Sequence, residues 1–304
     1  MKVGIVGIGK LGNIHLRIYK EIKEIEKIYL ADIDGDKTHA HTGGNITSFK
    51  DFARLKGKVS LVSISTPTTT HFEIAEFFLK NKIPVLVEKP LTETAKEAEK
   101  LIELSKKNKT LLFVGHVERY NNAYLAVQKI VKNPLFIECH RLSPYPHRSL
   151  DVSVALDLMI HDLDIILDLL RDEVTKIDAK GVRVLSKADD IINARITFKK
   201  GCVANITSSR ISAKTERKIR IFMPNRYISL DFAQQSVEIY KKLKGEITRE
   251  LLNINKEEPL KKEIVDFVNL VRKGNFDITY AQKAKDALNL ALRIQELIRA
   301  DKHG

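Results

Sequence analysis

Tryptophan is absent from this chain, and cysteine, methionine and proline are scarce: two, three and eight residues among 304. Cys139 and Cys202 are too few for a disulfide framework or a cysteine-built metal site. A reducing cytoplasm is therefore the expected compartment. No run of about 18 apolar residues occurs, so no membrane-spanning helix is expected. The first residues enter a strand-like stretch, Lys2-Val3-Gly4-Ile5-Val6, with no secretory leader pattern. Repeats and low-complexity segments are missing too. Acidic residues are the minority charge, leaving a formal net charge of +13. Yet there is no long basic arm and no repeated aromatic-basic interleaving, which argues against nucleic acid as the partner. Lysine is mixed with glutamate instead, as in Lys20-Glu21-Ile22-Lys23-Glu24-Ile25-Glu26-Lys27, the texture of solvated helix faces. A positive chain of this kind suits phosphate-bearing small molecules. The Lys/Glu richness also fits a heat-adapted protein.

What is present is ordinary globular material, 43% hydrophobic and 30% charged, enough for about two domains. The first strand runs into Gly7-Ile8-Gly9-Lys10-Leu11-Gly12, followed by a helical stretch from Asn13 to about Glu24. This is G-x-G-x-x-G in the strand-to-helix setting of a dinucleotide site. Gly7 permits a tight turn, Gly9 lets backbone approach a pyrophosphate, and Gly12 allows close helix packing. The helix start supplies N–H groups and positive potential for phosphate. A second strand, Ile28-Tyr29-Leu30-Ala31, leads to Asp32-Ile33-Asp34. Asp32 stands where an acid meets an adenosine ribose, which favours NAD over NADP. The alternative for both aspartates is turn chemistry, since Gly35 follows.

A third buried strand, Val59 to Ser65, ends in Thr66-Pro67-Thr68-Thr69-Thr70-His71. Its hydroxyls suit ribose or nicotinamide, or else Thr69 or Thr70 caps the next helix. Val85-Leu86-Val87 then ends in Glu88-Lys89-Pro90. Ligands of an open α/β sheet bind at the carboxyl ends of its strands. Lys89 there is placed to reach a reacting carbon, although a surface Glu-Lys pair has the same look. Pro90 stops the strand. A helix over about Thr94–Asn108 and a strand over Leu111–His116 complete an alternation that predicts a doubly wound parallel sheet.

The second half changes texture. A helix over Ala123–Lys132 and a strand over Leu135–Arg141 precede Ser143-Pro144-Tyr145-Pro146-His147-Arg148. That loop is either a rigid surface turn or a substrate loop in which Arg141 or Arg148 grips phosphate. Asp157 and His161 lie four apart on an apolar helix, so they share a face, with Asp164 also near. Such a His is either a satisfied core residue or, oriented by a carboxylate, a base for an alcohol. The cluster has too few ligands for a metal site, and none is expected. Strand-like segments follow: Val174–Val184, Asp190–Phe198, Cys202–Ser209, Glu216–Phe222, Arg226–Asp231 and Ser236–Lys241. They predict a large, mostly antiparallel sheet. Gly245 falls in a charged connection, and helices are expected over Glu257–Lys273 and Ala281–Ala300.

Together these motifs resemble the Gfo/Idh/MocA family of NAD(P)-dependent sugar and cyclitol oxidoreductases. The residues that carry the likeness are Gly7–Gly12, Thr66-Pro67 with His71, Glu88-Lys89-Pro90, and Gly115-His116-Val117-Glu118-Arg119-Tyr120-Asn121. The resemblance covers nearly the whole chain. It implies a Rossmann domain over 1–119 and an α+β substrate and oligomerisation domain over 120–304, whose last helix is free to pack back on the first. It implies NAD held by Gly7, Ile8, Gly9, Lys10, Leu11, Gly12, Asp32, Ile33, Thr66, Pro67, His71, Glu88 and Lys89. It also implies a cis Lys89–Pro90 bond and catalysis by Lys89, Asp157 and His161. The substrate hydroxyl is then expected between Lys89 and His161, with Arg119, Tyr120, Asn121, Arg141, Tyr145 and Arg148 as further contacts. The family's glycines before Asp157 are replaced here by Leu150–Val154. The Gly115–Asn121 run, His140–Pro144 and the stretch around Arg217–Phe222 resemble the branch that contains UDP-N-acetylglucosamine 3-dehydrogenases. A UDP-sugar is thus the expected substrate, and a homodimer or homotetramer through the second sheet the expected assembly. A free-sugar or inositol dehydrogenase and a non-catalytic NAD-binding regulator are the rivals.

Overall fold

The computed structural model describes residues 1–145, 152–243 and 245–301. The chain forms two compact units, Met1–His116 with Leu260–Lys285, and Val117–Pro259 with Asp286 onward.

The first unit is the expected doubly wound sheet. Its elements are β1 (Lys2–Val6), α1 (Lys10–Glu21), β2 (Lys27–Ala31), α2 (Gly35–His39), β3 (Ile46–Phe49), β4 (Leu61–Ile64), α3 (His71–Lys80), β5 (Val85–Glu88), α4 (Ala95–Asn108) and β6 (Leu112–Gly115). The sheet is wholly parallel in the order β3-β2-β1-β4-β5-β6. β4, β5 and β6 are buried at every position, which is why they read as continuous apolar runs rather than alternating ones. The strand order reverses between β1 and β4, so the crevice there opens onto Gly7–Gly12 and Ser65–Thr70. β3 escapes pattern reading because its four residues, Ile-Thr-Ser-Phe, bury only Ile46. α1 begins at Lys10, three residues earlier than the apolar periodicity suggests, so Gly12 lies inside its first turn. α4 carries a capping box: Thr94 N–H donates to Glu97, and Glu97 N–H donates back to the Thr94 hydroxyl.

The second unit opens with α5 (Asn122–Gln128), shorter than expected from its apolar spacing. Asn121 starts it by accepting the Ala123 N–H. The next N–H groups, of Ile130 and Val131, both turn back onto the Val127 carbonyl and close it. Then come β7 (Phe136–Leu142), α6 (Ile160–Leu170), β8 (Val174–Val182), β9 (Ile191–Phe198), β10 (Val203–Ser209), β11 (Glu216–Met223), β12 (Arg226–Asp231), β13 (Ser236–Leu243) and β14 (Glu246–Leu251). These strands form one sheet in the order β14-β13-β12-β11-β7-β10-β9-β8. Only β7 and β10 run parallel. The expected charged connection at Gly245 is instead a hairpin turn into β14. All six residues of β14 are exposed, so it has no buried face to mark it in the sequence. Inward residues such as Ile137, Cys139, Ile219 and Ile221 are buried and alternate with polar outward ones. α7 (Pro259–Arg272) and α8 (Thr279–Asp301) complete the described chain. In the first unit Phe267 of α7 and Tyr280 of α8 pack on Phe113 of β6.

Candidate active site

In the first unit, the chain leaves β1 at Gly7, whose φ of +88° lies in the region that favours glycine. A methyl group on Gly12 would sit 1.9 Å from the Gly7 carbonyl oxygen, so that close approach exists only with glycine. A Cβ on Gly9 would meet nothing within 4 Å, leaving open space over the start of α1. No side chain caps that helix start. The free N–H groups beside an uncovered glycine could hold a pyrophosphate. Asp32 lies half-buried at the end of β2. Its Oδ2 accepts the Ile8 N–H at 2.6 Å and its Oδ1 the Asp34 N–H at 2.9 Å, which ties this acid to the glycine loop. Asp34 takes the turn role, capping α2 by accepting from Asp36. Ile33 is 92% exposed beside it, an apolar surface that suits an adenine ring. These residues fit a bound NAD.

The loop after β4 departs from expectation in its details. Thr70 does not cap α3 through its side chain. Its hydroxyl donates to Thr66 Oγ1 and the Pro67 carbonyl instead, holding the loop closed. His71, expected against the cofactor, is buried within the fold. Its Nδ1 lies 2.9 Å from the Pro90 carbonyl and its Nε2 3.0 Å from that of Thr66. Burial pushes its pKa down. The neutral ring then donates to one of the two carbonyls, joining the Thr66 loop to the turn after β5.

Glu88 ends β5 and Lys89 and Pro90 follow it, with Glu88 buried, Lys89 half-buried and the Lys89–Pro90 peptide cis. Glu88 Oε1 lies 3.0 Å from Nε2 of His15, whose Nδ1 lies 2.7 Å from the Ser63 hydroxyl. The carboxylate selects the Nε2–H tautomer, and Nδ1 then accepts from Ser63. A Cβ on Gly115 would come within 3.0 Å of Glu88, so β6 leaves room for this carboxylate. Sequence reading missed His15. Its signal was its place on α1 three residues after Gly12, on the face turned to the sheet.

In the second unit, His161 and Asp157 are both half-buried. The turn Ala155–Met159 is π-helical and leads directly into α6. Asp157 therefore precedes His161 through a widened turn rather than the regular helical step its spacing suggests. The chain ahead of it is held by Arg210, which donates to the Val152 carbonyl, and by Gln295, which bonds the Ser153 hydroxyl.

Two arginines expected at the substrate, Arg141 as a phosphate ligand and Arg119 as a further contact, are engaged inside the fold. Arg141, 4% exposed, grips Asp162 with Nε and Nη2 at 3.0 Å each and reaches Glu118 with Nη1 at 3.1 Å. Burial raises the Asp162 carboxyl against the pull of this partner. Arg119 grips Asp164 at 2.6 and 2.7 Å and Asp168 at 3.0 Å. Burial works against its charge, but the two carboxylates outweigh that and hold the guanidinium above its ordinary pKa. Asp164 thus pairs with Arg119, where the sequence suggested it as an orienter of His161. Asn121 donates to the Phe232 carbonyl while capping α5. The physical reason is shared: α6 carries three acids, Asp162, Asp164 and Asp168, into a buried layer, and buried carboxylates require partners. Tyr120 and Tyr145 remain half-buried, and Arg148 lies outside the described residues.

A cavity of about 670 Å³ lies elsewhere in this unit, beside Leu167, Arg171, Asp172, Asn289 and Arg293, and holds none of the expected site residues. Among the described residues no group of three or more His, Cys, Asp or Glu side chains is arranged to hold a metal, and no helix is long and apolar enough to cross a membrane.

Comparison with known proteins identifies the family. The family described as "Oxidoreductase family, NAD-binding Rossmann fold", Gfo/Idh/MocA, matches residues 1–116, and the Gfo/Idh/MocA C-terminal domain matches residues 133–229. A UDP-N-acetylglucosamine 3-dehydrogenase of Acidithiobacillus ferrooxidans is 33% identical over 280 residues, spanning 89% of this chain and 88% of that protein. Its solved structure superposes with a TM-score of 0.91 at 30% identity, covering 99% of this chain and 98% of that one. A myo-inositol 2-dehydrogenase of Thermotoga maritima is 25% identical across 95% of this chain and 94% of its own length.

Proposed function

This chain belongs to the Gfo/Idh/MocA family of NAD-binding oxidoreductases, and we propose that it oxidises the 3-hydroxyl of UDP-N-acetylglucosamine to a ketone. The observation that carries this reading is the 33% identity to a UDP-N-acetylglucosamine 3-dehydrogenase across 89% of the chain, against 25% for the inositol enzyme. NAD, when bound, supplies the hydride acceptor. The Gly7–Gly12 backbone and the α1 N-terminus hold its pyrophosphate, Asp32 its ribose diol, and Ile33 its adenine. His161 takes the hydroxyl proton, steadied by Asp157. Lys89 stabilises the oxygen as negative charge develops on it. His71 and His15 act one step back. His71 joins the Thr66 loop to Pro90, and His15 sets the Glu88 carboxylate beside Lys89. Rigid strand ends suit this chemistry, because correct placement supplies much of the acceleration.

The same reading extends to the assembly and the compartment. On the outer face of the second sheet, Phe136, Phe222, Tyr227 and Tyr240 stand side by side on β7, β11, β12 and β13, with ring centroids 5.7, 5.3 and 4.6 Å apart. All four are half-exposed. A second copy of the chain covers this aromatic row, giving a homodimer or homotetramer. With two buried free cysteines, the protein works in the reducing cytoplasm.

The test is nicotinamide absorbance on mixing protein and NAD with UDP-N-acetylglucosamine, UDP-glucose, glucose or myo-inositol, with a carbonyl trap present. Reduction with the UDP-acetamido sugar alone is expected. Reduction with only a free polyol would replace this reading by that of an inositol or sugar dehydrogenase. Silence with all four despite NAD binding would point to a non-catalytic sensor. Lys89→Ala should keep NAD binding and lower kcat by about 10²- to 10⁴-fold. Normal turnover would remove Lys89 from the mechanism.

A further inference from the structure

We infer that Arg217 binds the diphosphate of the substrate and is the residue that makes the second unit select a nucleotide-linked sugar over a free one. The inference rests on the nucleotide-sugar reading above.

A diphosphate needs a cation with unsatisfied donors. Arg119 and Arg141 do not offer one, since each guanidinium is already paired with buried carboxylates. Turning either toward a ligand would strand those acids in a buried layer. Arg217 lies on β11, directly opposite Arg141 in the β7–β11 register. Directly paired residues of neighbouring strands project from the same face, with Cβ atoms about 5 Å apart. Arg217 therefore shares the inner face with Arg141, the face on which Asp162 of α6 is gripped. Farther along that face, Ile219, Ile221 and Met223 are buried, while Arg217 is exposed. Its backbone is held, for the Phe232 N–H donates to its carbonyl at 2.8 Å. Its side chain makes no hydrogen bond and no ion pair within 4 Å among the described residues.

Asp162 and Glu118 bring two carboxylates to the one guanidinium of Arg141, and Arg217 is the second cation on this face, with its own donors still open. Its field reaches Asp162 and pulls that carboxyl down, although burial outweighs it. Asp162 is the residue after His161. The chain that follows β7 also leaves at this edge, where Ser143 N–H donates to the Ser209 carbonyl and Ser212 N–H to that of Ser143. An anion held by Arg217 thus lies beside the helix that carries His161 and beside the start of the Pro144-Tyr145 segment. A guanidinium suits this task because its planar fork meets two phosphate oxygens at once.

The experiment measures UDP binding by calorimetry, and kcat and KM for UDP-N-acetylglucosamine, in NAD-saturated protein. Arg217→Ala should weaken UDP binding and raise KM by about 10- to 100-fold, with kcat changed by less than about threefold. Arg217→Lys should recover part of the loss. NAD affinity should stay at the wild-type value in both, which shows that the fold is intact. Arg226→Ala removes an exposed turn cation and serves as the charge control; its UDP binding should match wild type. If Arg217→Ala binds UDP as tightly as wild type, the assignment is wrong while the nucleotide-sugar reading stands. If the wild-type protein neither binds UDP nor turns over a UDP-sugar, the reading falls and this inference falls with it.

Discussion

Gly12 is the least replaceable residue of the glycine loop. The space its side chain would need is filled by backbone, the Gly7 carbonyl, which no rotamer change can move. Gly12→Ala should force α1 away from the end of β1 and disturb the N–H cradle. NAD affinity, followed by fluorescence titration, is expected to fall by about tenfold or more, the scale of one or two lost charge-assisted hydrogen bonds. Gly9→Ala is the contrast, because its Cβ would enter open space. That variant should retain the fold and lose affinity only through what the methyl group does to an approaching pyrophosphate. Equal, wild-type affinity in both variants would separate the loop from cofactor binding. Polar residues tell a different story from the glycines. Arg141, Arg119 and His71 look available in the sequence, yet their partners lie 5 to 49 residues away, and Asn121, besides its local cap, reaches a carbonyl 111 residues on. No local pattern announces such pairs.

At the scale of elements, the connection between β8 and β9 is organised by one acid. Asp190 is fully buried. Its Oδ2 accepts the N–H groups of Val184, Leu185 and Ser186 at 2.8, 2.6 and 2.9 Å, and its Oδ1 the Ser186 hydroxyl. Burial by itself would raise its pKa, but these donors outweigh it and bring the carboxyl down to about 2. A carboxyl lowered in the folded state contributes stability above its unfolded pKa, near 3.9. That contribution, about 2 kcal/mol, is lost as the pH falls from about 4 toward 2. Asp190→Asn should remove it at neutral pH, lowering the urea midpoint, and should flatten the acid limb of the stability curve. An unchanged acid limb in the variant would show that other carboxylates govern acid unfolding. α6 follows the same rule in a deeper setting. Its three acids are held by two arginines from outside the helix, so the position of His161 depends on pairs formed across the unit rather than on helix propensity alone.

At the scale of the whole molecule, the positive charge and the outer sheet face matter most. The excess of lysine and arginine is spread along exposed helices, and many of these residues are paired with glutamate or aspartate, as in Lys261–Glu21, Arg272–Glu24 and Lys285–Glu99. That pattern favours small anions over a polyanion. The aromatic row from Phe136 to Tyr240 is half-exposed, and stacked rings gain from burial. The double variant Tyr227→Glu, Tyr240→Glu should therefore shift the protein to a smaller species by light scattering, with its far-ultraviolet circular dichroism preserved. A wild-type monomer, or a variant with unchanged mass, would end the sheet-to-sheet assembly.

The parallel sheet, the glycine cradle, the acid after β2 and the strand-end lysine were determined by sequence alone. Each arises from short-range physics: continuous apolar runs for buried strands, glycine where a side chain cannot fit, and a turn where proline ends a strand. Tertiary structure decided the rest. It widened the turn before His161, added β3 and β14, which bury too little to be seen in a pattern, and placed His15 against Glu88. It also determined which cations are engaged and which are open. Arg141 and Arg217 are both arginines on strands, 76 residues apart in the sequence and directly opposed in the sheet. One meets a buried carboxylate from α6 and the other does not. That difference depends on which strands pair and which helix covers them, and neither is written in the neighbourhood of either residue.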